Sequence, residues 1–302
     1  MLNPTAVLAA ALGQNLAEVY RQTFGSRDPL IATALDESAR LVIERIGSSD
    51  ALYHDTQHTM MVALVAQDIL RGLRLEKSVS PSDWYHFMIA ALTHDLGYVR
   101  GVCAGDTGER FVIDEQGNAV TPPRGASDAF LTPYHVDRSK IAVKERFKSP
   151  QRVDAERVAR AIEMTRFPIP KSADYAETST EPGLLRAADL IGQLADPLYP
   201  SKLTALYYEF NEIGYLDELG YRTPADLVEH YPSFFWSSVE PYLHDALRHL
   251  DNTIEGKQWI ANLYSHVLAV SHDQPVAGPH RGKGRGRGRP VRRKPRRRSR
   301  AP

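Results

Sequence analysis

Three hundred and two residues, 42% of them hydrophobic, suffice for one large domain or two small ones around a buried core, and the longest apolar stretches, such as 6–12, fall far short of the ~20 residues that cross a bilayer. A single cysteine, Cys103, excludes an intramolecular disulfide and a cysteine-based zinc site, and without a charged start or cleavage site in the N-terminal run the expected compartment is a reducing cytoplasm. The formal net charge of zero divides sharply: twelve of the 37 basic residues and none of the 37 acidic ones follow Pro279, so the first 279 residues carry −12 and the rest +12.

From the N-terminus the apolar residues recur at three and four spacing, which predicts helices over 5–24 and 29–46, ended by Gly47 and two serines. The pattern resumes over 56–73 (TQHTMMVALVAQDILRGL). Ser82 and Asp83 then cap a helix that runs to 96, with His94 and Asp95 in its last turn and Gly97 stopping it. Between 101 and 133 the composition turns to Gly, Asp, Thr and Pro, which cannot sustain a helix. A loop or small hairpin of this length, inserted directly after the His-Asp pair, suits a lid or substrate loop. Helices follow over 139–147, 154–164, 184–196, 201–213, 224–231 and 239–270, without any internal repeat. The expected fold class is all-α, one domain over 1–272 with an insertion at 101–133, and a tail over 273–302.

That tail alternates Gly with Arg and then clusters Arg around Pro (RGKGRGRGRPVRRKPRRRSRAP), with almost nothing to bury, and is expected to be disordered. Residues 280–302 suit nonspecific contact with nucleic acid, since Arg clusters neutralise phosphates without needing a fold. No aromatic residue interleaves them, so base stacking is absent. The alternative is a solvated extension resting against the acidic body.

Chemistry concentrates in Tyr53-His54-Asp55-Thr56-Gln57-His58, in Thr93-His94-Asp95, at His135 in PYHVD, and at Asp189 in RAADL. Four residues apart at a helix start, His54 and His58 can share a face, and imidazole suits divalent transition metals. His94 and Asp95, about 100° apart around a helix, can both reach an ion lodged between helices. Asp189 interrupts an otherwise apolar helix, LLRAADLIGQLAD, where an ionised carboxylate needs a partner or a metal. His135 is either a further donor or, with Asp137, a cap of the next helix. His86, His244 and His266 have no such context.

In the order His58, His94-Asp95, Asp189, this set resembles the H…HD…D signature of the HD-domain metal-dependent phosphohydrolases. YHDTQHTMMV is more narrowly similar to the YHNxxHxxDV segment of cyclic-nucleotide phosphodiesterases, AALTHDLGY to their HDxxH segment, RAADL to their late Asp segment and SFFWSSVEPYL to the stretch closing their pocket, together covering about 35–250. The resemblance implies an all-α bundle in which His58, His94, Asp95 and Asp189 ligate one metal, Asp95 bridges to a second, and His54 is the general acid. Asp55 replaces an Asn, Tyr98 replaces the His after the HD pair, the 101–133 insertion belongs to neither pattern, and Tyr231 stands where those phosphodiesterases carry a purine-gripping Gln.

The expected activity is hydrolysis of a phosphomonoester or phosphodiester, in a small phosphorylated substrate such as a nucleotide, with one or two divalent ions (Mn, Fe, Zn, Co, Ni or Mg) activating water. His54 and Asp95 are the catalytic candidates, and His58, His94, Asp95, Asp189 and His135 the metal-binding ones. Asp55 or Glu163 would support the charge of His54, while Arg138, Lys140 and Arg166 are candidates to hold a phosphate. Two other readings stay open: a cyclic-nucleotide phosphodiesterase, and a catalytically weak scaffold tethered to nucleic acid by the basic tail.

Overall fold

A computed structural model describes residues 2–148 and 152–271. The proposed tail over 273–302 lies outside the described residues. The described residues form twelve α-helices in chain order: α1 (Pro4–Phe24), α2 (Pro29–Ile46), α3 (Thr56–Glu76), α4 (Pro81–Thr93), α5 (His135–Arg146), α6 (Ala155–Glu163), α7 (Glu181–Leu194), α8 (Tyr199–Glu212), α9 (Tyr215–Leu219), α10 (Pro224–Phe234), α11 (His244–Leu250) and α12 (Ile254–Ser271). The one sheet among the described residues is a two-stranded antiparallel ribbon of β1 (Phe111–Val112) and β2 (Ala119–Val120), Phe111 opposite Val120. The fold is all-α, and no described helix is long and apolar enough to cross a membrane.

Local chemistry sets the helix starts. Asp55 caps α3 by accepting from the Gln57 and His58 amides, and Asp154 caps α6 through the Arg157 amide. At α4 the cap is Ser80, whose hydroxyl bonds the Asp83 amide while the Asp83 carboxylate returns to the Ser80 amide, so the start lies earlier than the expected Ser82. This helix also stops sooner than its apolar pattern suggests: it ends at Thr93, with His94 as its C-cap and Asp95 already outside helical geometry. The span expected as one helix over 239–270 is broken, a π-type turn at Phe235–Val239 and a tight turn at Glu240–Tyr242 leading into α11 and α12. Helix α5 begins at His135, four residues before its expected start.

The core is one contiguous cluster. Helices α3 and α4 are its spine, with Val62, Val65, Ala66 and Ile69 of α3 and Trp84, Met88, Ile89 and Leu92 of α4 fully buried. Helices α1 and α2 cover one side through Leu12, Leu16, Leu35 and Ile43, and α7 packs on α3 through Leu185, Ala188 and Ile191. The contact of α3 with α7 is unusually close at Gly192, where a Cβ would stand 2.8 Å from the Val62 backbone. Val62 lies one turn beyond His58 and Gly192 nearly one turn beyond Asp189, so this approach draws those two side chains together.

The 101–133 insertion is a hairpin fastened at many points rather than a loose lid. Arg138 of α5, 0% exposed, reaches the Gly97, Val99 and Val112 carbonyls and both oxygens of Asp106. Asp106 in turn accepts from the Gly101, Cys103 and Val112 amides. Arg100 pairs with Asp128, and Ser127 binds Glu212 of α8 through its amide and hydroxyl. This overturns the assignment of Arg138 as a phosphate-holding residue, because all its nitrogens are committed to the insertion and to the backbone just before it.

Candidate metal centre

Three separate parts of the chain bring four donors to one point. His58 lies in the first turn of α3, His94 and Asp95 at the end of α4, and Asp189 in the middle of α7. His58 Nε2 is 3.2 Å from Asp95 Oδ2 and 3.3 Å from Asp189 Oδ1, and His94 Nε2 is 3.2 and 3.6 Å from the same two oxygens. Donors 2.0–2.2 Å from one ion stand about 3.3–3.6 Å apart at the corners of a tetrahedron, so these four separations suit a single divalent transition metal. Neither His94 Nε2 nor Asp95 Oδ2 makes a hydrogen bond, although both are buried, a costly arrangement unless something else sits between them.

The imidazoles are oriented from behind, as metal-binding histidines are. His94 Nδ1 donates to the Ala91 carbonyl at 2.9 Å and His135 Nδ1 to the Thr132 carbonyl at 2.6 Å, which leaves Nε2 of each ring as the free donor. His54 Nδ1 donates to Glu209 Oε2 at 2.5 Å. His58 is the exception, its Nδ1 buried without a partner. His58, His94 and Asp189 form one group able to hold an ion, and His54, His58 and Asp95 a second that shares His58.

Electrostatics follow from the packing. Burial opposes a charge on His58, but the Asp189 and Asp95 carboxylates beside it prevail and hold its pKa up at about 9. They raise His94 well above its ordinary value in the same way. Burial works against ionisation of the two carboxylates, yet the facing imidazoles bring Asp189 down to about 2 and Asp95 well below its usual range. At neutral pH the metal-free cluster therefore holds protons where a cation would sit.

His135 is set near this group rather than capping its helix. It is the first residue of α5, its Nε2 lies 3.8 Å from Asp95 Oδ1, and its pKa is lowered because burial outweighs the attraction of Asp95. Gly97 makes this possible, since a Cβ there would stand 1.9 Å from the His135 carbonyl, and its amide is held by the Ser139 hydroxyl. Asp95 thus turns Oδ2 toward His58 and His94 and Oδ1 toward His135. Tyr98, 1% exposed, lies between His54 and His135, stacked on both at 4.4 and 4.6 Å. Burial and the nearby Asp95 charge keep its hydroxyl protonated.

Two expectations are corrected. The carboxylate supporting His54 is neither Asp55, which caps α3, nor Glu163, which binds Arg166, Lys140 and Tyr175. It is Glu209 of α8, with 1% side-chain exposure, whose Oε1 also accepts the Tyr53 and His54 amides. Its pKa is lowered because those contacts, led by the His54 charge, outweigh burial. Lys140 and Arg166 are ion-paired with Asp137 and Glu163 and are not poised for a phosphate. Tyr231 is buried against Tyr199 and Phe235, its hydroxyl without a partner.

An all-α domain with a buried His/Asp cluster able to hold a metal ion is the class that fold and site define. The profile of the family described as Npun_R2479-like matches residues 2–273, and the chain belongs to that family. No curated protein and no solved structure matches it.

Proposed function

We propose that the protein is a metal-dependent phosphohydrolase of HD type, hydrolysing a phosphomonoester or phosphodiester in a small substrate such as a nucleotide. The observation that carries this reading is the convergence of His58, His94, Asp95 and Asp189 at separations of 3.2–3.6 Å. A divalent ion held by these four would supply a Lewis acid for the phosphoryl oxygens and an activated water. The remaining roles belong to the chain. Asp95, with one oxygen toward His58 and His94 and the other toward His135, is the group able to serve two positions at once.

His54 is the proton donor to the departing oxygen. Glu209 fixes Nδ1–H, so Nε2 is the nitrogen free to act, and Tyr98 stacks on the ring and limits its rotation. The insertion, clamped by Arg138 and latched to α8 at Glu212, forms a rigid neighbour to this side of the site.

Elemental analysis of the purified chain, paired with hydrolysis of a generic phosphomonoester and phosphodiester after loading with Mn, Fe, Zn, Co, Ni or Mg, tests the proposal. The expected result is one to two ions per chain and turnover, with both lost in Asp95→Ala. An empty wild-type protein without activity after reconstitution overturns it. Hydrolysis of cAMP or cGMP in preference to the generic esters would favour the cyclic-nucleotide reading, whereas salt-sensitive binding of nucleic acid that disappears on truncation after Ala277 would favour the tethered scaffold.

A further inference from the structure

At the far end of α3 from the metal centre, a cleft of about 390 Å³ lies between the α1–α2 turn and the segment after α3. Arg27, Arg74 and Lys77 line it, together with Ser78 and Glu76. Sixteen residues of helix separate His58 from Arg74, roughly 24 Å along the axis, so the two places are distinct.

Many basic side chains of the body are neutralised where they stand. Arg100, Arg138, Lys140, Lys144, Arg157, Arg166 and Lys202 each pair with a carboxylate. No carboxylate among the described residues pairs with Arg27, Arg74 or Lys77. Glu76, the one acid lining the cleft, is turned to other work, accepting from His249 at 3.0 Å and Asn252 at 2.7 Å. Three unneutralised charges gathered in a concavity of a body carrying −12 repel one another, and an anion would relieve that repulsion.

Two of these cations stand on anchored parts of the chain. Arg74 lies over the Phe24 ring, 4.5 Å from its centre, and Phe24 is itself wedged edge-on against Trp84. Arg27 sits in a turn pinned by the buried Tyr20, whose hydroxyl reaches the Arg27 carbonyl at 2.9 Å and the Asp28 carbonyl at 3.2 Å. Asp28 has φ +43°, the one non-glycine left-handed residue among those described. Such a backbone conformation persists only where its surroundings enforce it, and it recurs at binding sites.

We propose that this cleft binds a small anion carrying two or more phosphate charges, at a site separate from the metal centre. Two guanidinium forks and an ammonium group match phosphate oxygens. A compact concavity rather than a basic stripe, on a body of net negative charge, favours a small ligand over a long polyanion.

The test is thermal denaturation of the full metal-free chain with inorganic pyrophosphate, against sodium chloride at equal ionic strength. Stabilisation reports binding to the folded cleft, since the Arg residues after Pro279 offer their charge to the anion in the unfolded chain as well. The expected result is a saturable rise in Tm of roughly 2–4 °C at ten times Kd, retained in Asp95→Ala and abolished in the double variant Arg27→Gln/Lys77→Gln. Both substituted residues are exposed, so the double variant keeps the fold. Three outcomes overturn the proposal: no shift beyond that of sodium chloride, an undiminished shift in the double variant, or loss of the shift in Asp95→Ala, which would move the anion to the metal centre.

Discussion

Replacing Glu209 by Gln isolates the part of the site that orients a proton. Oε1 of Glu209 accepts the Tyr53 amide at 2.6 Å and the His54 amide at 3.2 Å, while Oε2 receives Nδ1–H of His54 at 2.5 Å. A glutamine has one acceptor oxygen for these two tasks. If it keeps the backbone pair, its NH₂ faces Nδ1–H, two donors opposed, and the ring must move its proton to Nε2 or turn away. A hydrogen bond to a charged group contributes about 1.5–3 kcal/mol, and part returns through the new amide contact. The expected loss is therefore about 1–2 kcal/mol, or a fall in Tm of roughly 2–8 °C.

Catalysis should suffer more than stability, and in a manner that depends on the substrate. Loss of an oriented general acid lowers turnover by roughly 10²–10⁴-fold where the departing oxygen needs a proton, as an alkoxide does. A p-nitrophenyl ester, whose leaving group departs as a stable anion, should lose far less. The assay is kcat on an alkyl and a p-nitrophenyl phosphoester, with metal content measured on the same preparation. Glu209 is outside the four-donor set, so metal content should be unchanged. If the metal is lost, or if both esters slow equally, His54 is a ligand or a purely structural group and the assignment of proton donation is wrong.

The other consequences are more direct. Asp189→Asn should lower metal occupancy while the protein stays folded, read by elemental analysis beside circular dichroism; full occupancy would remove Asp189 from the donor set. Because Asp189 and Asp95 outweigh burial and raise both His58, to about 9, and His94, a cation must displace a proton from each ring below that pH, so affinity should rise more than tenfold, and at most about a hundredfold, per pH unit from 6 to 8 and level off only above about 9. Chelator competition across that range measures it, and a flat profile contradicts it. The sign is opposite for the metal-free fold: the raised pKa stabilises it fully below about 6.5, an advantage lost as pH rises through about 9. Arg138→Met leaves Asp106 buried without its charge partner and should cost about 3–5 kcal/mol in urea denaturation. A loss below about 1 kcal/mol would mean the insertion does not depend on this clamp.

Helices that bury one face were legible because their period is written in the chain. Helix α2 begins and ends where the pattern puts it, and α1 and α3 differ only at their ends. The errors fall where apolar residues continue through a change of backbone. Leu96 keeps the α4 pattern going, but the chain leaves the helix after Thr93, and the apolar residues between 239 and 270 conceal the break at 251–253. Periodicity reports which face is covered and is silent about which hydrogen-bond ring continues. The short α9, bounded by Gly214 and Gly220 in left-handed geometry, is too brief to show a period at all.

The candidate metal donors were legible for a different reason: a His or Asp on the apolar face of a helix has few uses, and three such places in one chain constrain one another. Glu209 carried a comparable sign, three residues after Leu206 on the buried side of α8, but nothing in the chain marks it over Asp55 or Glu163 as the support of His54. Its partner lies 155 residues away, a distance over which a hydrogen bond leaves no pattern. The two glycines illustrate the same limit. Gly97 and Gly192 read as a helix stop and an unremarked helix interior, whereas both are places where a methyl group would push a donor out of the centre. Ligand types can be read along the chain. The close approaches that make them a site depend on what another helix brings to the same point, and for these residues that is where the sequence reading stops.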